Sequence, residues 1–166
     1  MKRLGEAARW FLTGPAGTGK TALAQLWWEK QSRKLPAIWL DLAVLPNAQH
    51  LSDACQSSLG IENHAHTPPD SWPEAALVVD HLEQASPDHL EQLAGLLDTL
   101  PAQWKVLLIS RCGPPKASWI LRFDLRVLGG DAFWWEDEEL SHWMREQGGL
   151  SRQESHEAAR WLSGWI

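Results

Sequence analysis

The sequence predicts a three-layer α/β fold with a mainly parallel five-stranded sheet. Two observations carry this expectation. Short apolar runs alternate with helical patterns along the chain, the arrangement that packs helices on both faces of a parallel sheet. Between the first apolar run and the first helical pattern stands Gly14-Pro15-Ala16-Gly17-Thr18-Gly19-Lys20-Thr21. That is a complete G-x-x-x-x-G-K-[ST] phosphate-binding loop, in the strand–loop–helix context that gives the motif its meaning. With 166 residues, 44% hydrophobic and 22% charged, the chain is long enough for one domain with a sizeable core.

The elements follow in order. Trp10 to Thr13 reads as the first strand. Lys20 to about Lys34 is the first helix, closed by a basic turn that suits the helix dipole. After Pro36, Ala37 to Leu42 is a second strand, apolar enough for burial on both faces. Pro46 to Leu59 reads as a helix stopped by Gly60, and Asn63 to Pro73 as a polar loop rich in His and Pro. Ala75 to Asp80 is the third strand. Ser86-Pro87-Asp88 opens a helix running to about Leu100, with Ser at the N-cap and Pro in the first turn. Lys105 to Ser110 is the fourth strand, and Leu125 to Leu128 a short fifth one before Gly129-Gly130. From Asp131 the character changes. A helix is expected from Glu136 to about Gln147, and another from Ser151 to Ser163 with Ser151 and Glu154 as a capping box. The expected organisation is a nucleotide-binding domain over 1–130 and the beginning of a helical lid over 131–166.

Composition narrows the function classes. A net charge of −6 and the lack of a basic run argue against nonspecific nucleic-acid binding by these residues. The two cysteines, Cys55 and Cys112, have no metal spacing and fit a reducing, cytoplasmic setting. No run of 18 apolar residues and no signal peptide is visible, so no membrane association is expected. Twelve Trp against no Tyr is unusual. The pairs Trp27-Trp28 and Trp134-Trp135 are each expected to send at least one ring toward a surface or an interface, because neighbours point in different directions.

The phosphate loop assigns chemistry by residue type. Gly14, Gly17 and Gly19 let backbone N–H groups approach phosphate oxygens, with Pro15, Ala16 and Thr18 completing the loop. Lys20 supplies a mobile cation for the β- and γ-phosphates, and Thr21 a hydroxyl for Mg²⁺. Leu77-Val78-Val79-Asp80 is a Walker B pattern, an apolar strand ending in a carboxylate that can hold Mg²⁺ beside Thr21. These motifs together define a P-loop NTPase fold, with ATP or ADP and Mg²⁺ as expected ligands. The guanine-reading Asn/Thr-Lys-x-Asp signature is absent, which leans toward adenine.

Hydrolytic P-loop proteins often carry a second acid directly after the Mg²⁺ aspartate, and here that position is His81. Glu83 is the nearest alternative acid. It can reach the γ-phosphate if residues 81–85 form a loop and points away if they form a helix. His81 is a candidate water-positioning group, and the plain expectation is slow or absent hydrolysis. Arg111, after the fourth strand, is placed to sense the γ-phosphate if that strand lies between the first and third. His64-x-His66 lacks a third ligand and is read as solvent-exposed.

With these elements in order, the chain resembles a family. The phosphate loop is followed by Trp39-Leu40-Asp41-Leu42, Leu77-Val78-Val79-Asp80, Leu100-Pro101, Val106 to Arg111, Pro114-Pro115, Leu121-Arg122 and a helix end at Ser163-Gly164-Trp165-Ile166. This is similar to the nucleotide-binding region of MalT-like, LuxR-type transcriptional activators, within the STAND class of P-loop ATPases. The resemblance implies an ATP/ADP switch. ADP holds the resting form, and inducer with ATP favours an open, self-associating form. It implies phosphate and Mg²⁺ binding by Gly14 to Thr21, Mg²⁺ binding by Asp80, γ-phosphate sensing by Arg111, and approach of Trp165 to the nucleotide from the lid. Inducer and DNA contacts are expected only from regions outside this chain. Three departures stand out: His81 in place of a second acid, a short segment before the first strand, and an end before the winged-helix, sensor and helix-turn-helix regions that such regulators carry. Two other readings stay open. One is an AAA-like ATPase acting on a protein partner, with Arg122 or Arg126 as an arginine finger. The other is a small-molecule P-loop kinase.

Overall fold

The computed structural model describes residues 8–45, 51–61, 68–129, 138, 141–142, 145 and 151–162. Five strands, β1 (Arg9–Thr13), β2 (Ala37–Asp41), β3 (Ala76–Asp80), β4 (Lys105–Ser110) and β5 (Arg126–Leu128), form one sheet in the order β2-β3-β4-β1-β5. Every pairing is parallel. Parallel neighbours require crossovers, and helices supply them. These are α1 (Lys20–Ser32), α2 (Leu51–Ser58), α3 (Pro87–Thr99) and α4 (Ser118–Arg122), with α5 (Arg152–Leu162) beyond the sheet.

The centre of the sheet is buried on both faces, as the continuous apolar runs require. All five residues of β3 are buried, and so are Val106 to Ser110 of β4. One face packs Phe11, Leu77, Val79, Val106 and Leu108 against Leu93 and Leu97 of α3 and Leu51 of α2. The other packs Trp10, Leu12, Val78, Leu107 and Ile109 against Ala24 and Trp27 of α1. Each fully buried Leu or Phe contributes about 1.5–3 kcal/mol, so the strands that carry the site are anchored in the core.

β2 differs from expectation. It lies at the sheet edge, and its side chains alternate between buried and half-buried. Its outer face is covered in part by a ring contact between Trp39 and Trp28, with centroids 6.4 Å apart and planes 78° apart. That contact also resolves the first tryptophan pair. Trp27 enters the core while Trp28 stays partly exposed.

Local helix signals behave as chemistry predicts. The Ser86 hydroxyl accepts from the His89 N–H at 3.1 Å, with Pro87 at the first helical position. Ser151 and Glu154 form the expected capping box, N–H to carboxylate at 2.9 Å and N–H to hydroxyl at 3.3 Å. α4 had no counterpart in the sequence reading. Its five residues are too short to show a period, and it exists because Trp119 and Phe123 are buried edge to face, 5.2 Å apart. The expected boundary near Asp131, nearly all of the expected helix from Glu136 to Gln147, Trp134-Trp135 and the His64-x-His66 pair lie outside the described residues.

Candidate functional site

The phosphate loop leaves β1 at Thr13 and turns into α1 through two glycines with positive φ, Gly17 at 84° and Gly19 at 75°. A side chain would strain both turns. Gly19 is the N-cap of α1 and offers no side chain to cap it. The first intrahelical bond runs from the Leu23 N–H to the Gly19 carbonyl, 2.8 Å. The amides of Lys20, Thr21 and Ala22 therefore stand ahead of the helical ladder, at the positive end of the dipole, where an anion is favoured.

Lys20 is 7% exposed. Its ammonium donates to the Gly14 carbonyl at 2.6 Å, the Pro15 carbonyl at 2.6 Å and the Thr18 hydroxyl at 3.1 Å. Burial pushes its pKa below the ordinary lysine value, and the neighbouring Arg111 adds to this, while Glu83 and Asp80 oppose it. A desolvated ammonium held only by the oxygens of its own loop fits a site built for phosphate.

Asp80 ends β3 and is 3% exposed. One carboxylate oxygen accepts from the Thr21 hydroxyl at 3.0 Å, and the other from the His81 N–H at 2.8 Å. Thr21 and Asp80 therefore meet across 59 residues of sequence as two hard oxygen donors beside the phosphate loop, the donor type Mg²⁺ takes. Among the described residues no group of three or more His, Cys, Asp or Glu is placed to hold an ion. The phosphates would have to complete the shell.

His81 adopts a left-handed backbone conformation, φ 58° and ψ 42°, unusual for a residue with a side chain. Its Nδ1 lies 2.7 Å from a carboxylate oxygen of Asp41 and 4.0 Å from one of Asp80. The same Asp41 oxygen accepts the Ala43 N–H at 2.9 Å. An Asp41 carboxylate on Nδ1 fixes the ring and leaves Nε2 as the second nitrogen. The sequence reading missed Asp41. The available signal was that it ends its strand one position before Leu42, as Asp80 ends β3, and the two aspartates are register partners. Carboxyl ends of parallel strands face a common crevice.

Glu83 lies in a single 3-10 turn, Leu82–Gln84. It nevertheless faces the cavity. Its carboxylate accepts the Arg111 backbone N–H at 3.0 Å and lies 3.2 Å from Arg111 Nε. Burial disfavours its charged form. This is outweighed by backbone N–H bonds from Arg111 and from Glu83 itself and by the nearby His81 and Arg111, which together hold its pKa below the usual glutamate value. β4 lies between β1 and β3, so Arg111 follows the strand expected to carry it. The exit of that strand is tied down by Thr13, whose hydroxyl donates to the Cys112 carbonyl at 2.7 Å, and by Ser110, whose hydroxyl accepts the Cys112 N–H at 3.1 Å.

Lys20, Thr21, Asp80, His81, Glu83 and Arg111 line one cavity of about 410 Å³ together with Ala16, Gly17 and Gly19. Trp165 lies outside the described residues. A larger groove of about 640 Å³ between α3 and α4 is lined mainly by apolar groups and carries none of this machinery. Arg122, one of the two finger candidates, is bound to Asp98 through both Nε and Nη2.

A phosphate-binding loop after β1 and an acidic end on β3, with a strand inserted between them, accompany an all-parallel 2-3-4-1-5 sheet, a fold like that of AAA+ P-loop domains. No protein-family model matches the chain, and no curated protein does. Solved structures do. A variant of Thermotoga maritima RuvB is 18% identical with a TM-score of 0.63, over 95% of this chain and 54% of that one. Cdc6p from Pyrobaculum aerophilum is 17% identical with a TM-score of 0.63, over 91% and 47%. AMPPCP-bound DnaA from Aquifex aeolicus is 16% identical with a TM-score of 0.62, over 98% and 53%. The chain thus spans about half the length of these proteins. Among the described residues no helix is long and apolar enough to cross a membrane.

Proposed function

We propose that this domain is a regulatory switch that binds Mg-ATP and Mg-ADP and hydrolyses ATP slowly or not at all, as in the STAND class and LuxR-type regulators it resembles. The observation that carries this reading is the state of the acids around the phosphate loop. Asp80 is committed to Thr21 and the His81 amide, and Glu83 to Arg111. The position after Asp80 holds a histidine tethered to Asp41. The cavity has the donors to hold a triphosphate, while its one remaining carboxylate, Glu83, is tied by the Arg111 backbone N–H at the exit of β4. A base must reach the attacking water to accelerate hydrolysis.

Gly14 to Thr21 would cradle the phosphates, and Thr21 and Asp80 would hold Mg²⁺, which neutralises phosphate charge when bound. Arg111 would report the γ-phosphate. The AMPPCP held by the DnaA neighbour is consistent with a nucleotide in this fold. Two free cysteines, Cys55 buried and Cys112 exposed, are compatible with a reducing cytoplasmic setting. The alternative of an AAA-like ATPase working on a protein partner draws on the same neighbours; of its two finger candidates, Arg122 is paired with Asp98 at the surface and Arg126 is exposed on β5.

Calorimetric titration with Mg-ATP and Mg-ADP, with phosphate release followed in parallel, tests the reading. Binding with negligible turnover is expected. Steady turnover of several per second would replace the switch by a motor.

A further inference from the structure

We propose that Glu83 is an intramolecular stand-in for the terminal phosphate: its carboxylate holds Arg111 in the absence of a γ-phosphate, competes with that phosphate for the guanidinium, and so sets the preference for triphosphate over diphosphate. This rests on the nucleotide-binding reading above and assigns the residue that tunes its output.

The geometry carries the inference. Both Glu83 oxygens face Arg111, one on its backbone N–H at 3.0 Å and one on its Nε at 3.2 Å. The Glu83 side chain is 15% exposed and that of Arg111 54% exposed. The arginine is therefore held from one side only, and its two terminal NH₂ groups remain as further donors. The oxygen facing Nε is buried and takes no well-aligned hydrogen bond, so that half of the pair is held by charge alone. An ion pair with one half-exposed partner and imperfect alignment is weak. A phosphate that enters beside Lys20 and Thr21 brings more negative charge and three oxygens, and it can take the guanidinium over. Glu83 is also the largest electrostatic partner of Lys20 after burial. Its negative charge thus sits in the same positive field that the phosphates would use. Its depressed pKa keeps it ionised at neutral pH, so the competitor is present whenever nucleotide arrives.

A bracing role makes the opposite prediction. If Glu83 only held Arg111 in place to meet the γ-phosphate, removing its charge would weaken triphosphate binding. In the Glu83→Gln variant the amide oxygen can still accept the Arg111 N–H, so the strand exit stays tied while the charge is lost.

Calorimetric titrations with Mg-AMPPCP and Mg-ADP read the difference without interference from turnover. Competition predicts that Glu83→Gln tightens AMPPCP roughly two- to fivefold and ADP by clearly less. In an Arg111→Ala background the gain on AMPPCP should shrink to that on ADP, because only the effect of the Glu83 charge on the phosphate site is left. Weaker AMPPCP binding in Glu83→Gln, equal shifts for both nucleotides, or a gain on AMPPCP undiminished without Arg111 would each overturn the competition. Failure of the unsubstituted chain to bind either nucleotide would overturn the nucleotide-binding reading itself, and the competition with it. A circular-dichroism melt of each variant separates lost binding from lost folding.

Discussion

Replacing Lys20 with methionine isolates the charge at the centre of the site. Methionine keeps most of the buried stem and removes the ammonium, so the packing under the loop changes little. The ammonium donates to the Gly14 and Pro15 carbonyls and the Thr18 hydroxyl. Nucleotide binding has to exchange the two carbonyl contacts for phosphate oxygens. One phosphate charge about 4 Å from the ammonium attracts it by about 4 kcal/mol at an effective dielectric constant of about 20. Giving up two carbonyl bonds costs about 1 kcal/mol each on a net scale. The remainder, about 2 kcal/mol, corresponds to a loss of roughly 30-fold in affinity on Lys20→Met. Calorimetry with Mg-AMPPCP measures it, and a thermal melt checks that the variant is folded. An affinity within about threefold of the unsubstituted protein would show that the ammonium does not meet the phosphates, and the assignment of the loop would fall.

Three further outcomes follow from the same geometry. Asp80→Asn should remove most of the gain in AMPPCP affinity that Mg²⁺ confers, while affinity measured in EDTA changes little; titrations with and without the metal compare the two. Arg9 ties the end of α3 to the sheet through bonds to the Leu97 and Leu100 carbonyls, both 3.1 Å. Arg9→Ala should cost about 1–2 kcal/mol in urea unfolding, since the guanidinium is only partly buried. His89 is 1% exposed, and neither ring nitrogen has a partner among the described residues. His89→Leu should raise stability by about 1–2 kcal/mol, read as a higher melting temperature, and a lower one would reveal a bond to that ring.

The distance in sequence between interacting groups separates what is legible in the chain from what is not. The phosphate loop, the N-cap at Ser86 and the capping box at Ser151 and Glu154 are legible because each motif is complete within a few residues. Backbone amides, a hydroxyl and a carboxylate at fixed spacing leave few alternatives. The acidic strand end at Asp80 is legible because a fully buried parallel strand reads as an unbroken apolar run. The 2-3-4-1-5 order was also partly accessible, since a β4 inserted between β1 and β3 is what would make Arg111 useful.

The contacts that give the site its character were not accessible in this way. Asp41 meets His81 across 40 residues, Arg111 meets Glu83 across 28, and Arg9 meets α3 across 88 to 91. Each depends on strand register, where a slip of one residue turns every side chain to the other face. The edge position of β2 left half of an apolar strand incompletely buried, and α4 formed around Trp119 and Phe123 without any period in its five residues. The sequence by itself determined where phosphate chemistry can occur, because the donors for it are contiguous in the chain. Only the tertiary structure decided which acids are already engaged, because the sheet register alone brings Asp41 to His81 and Glu83 to Arg111.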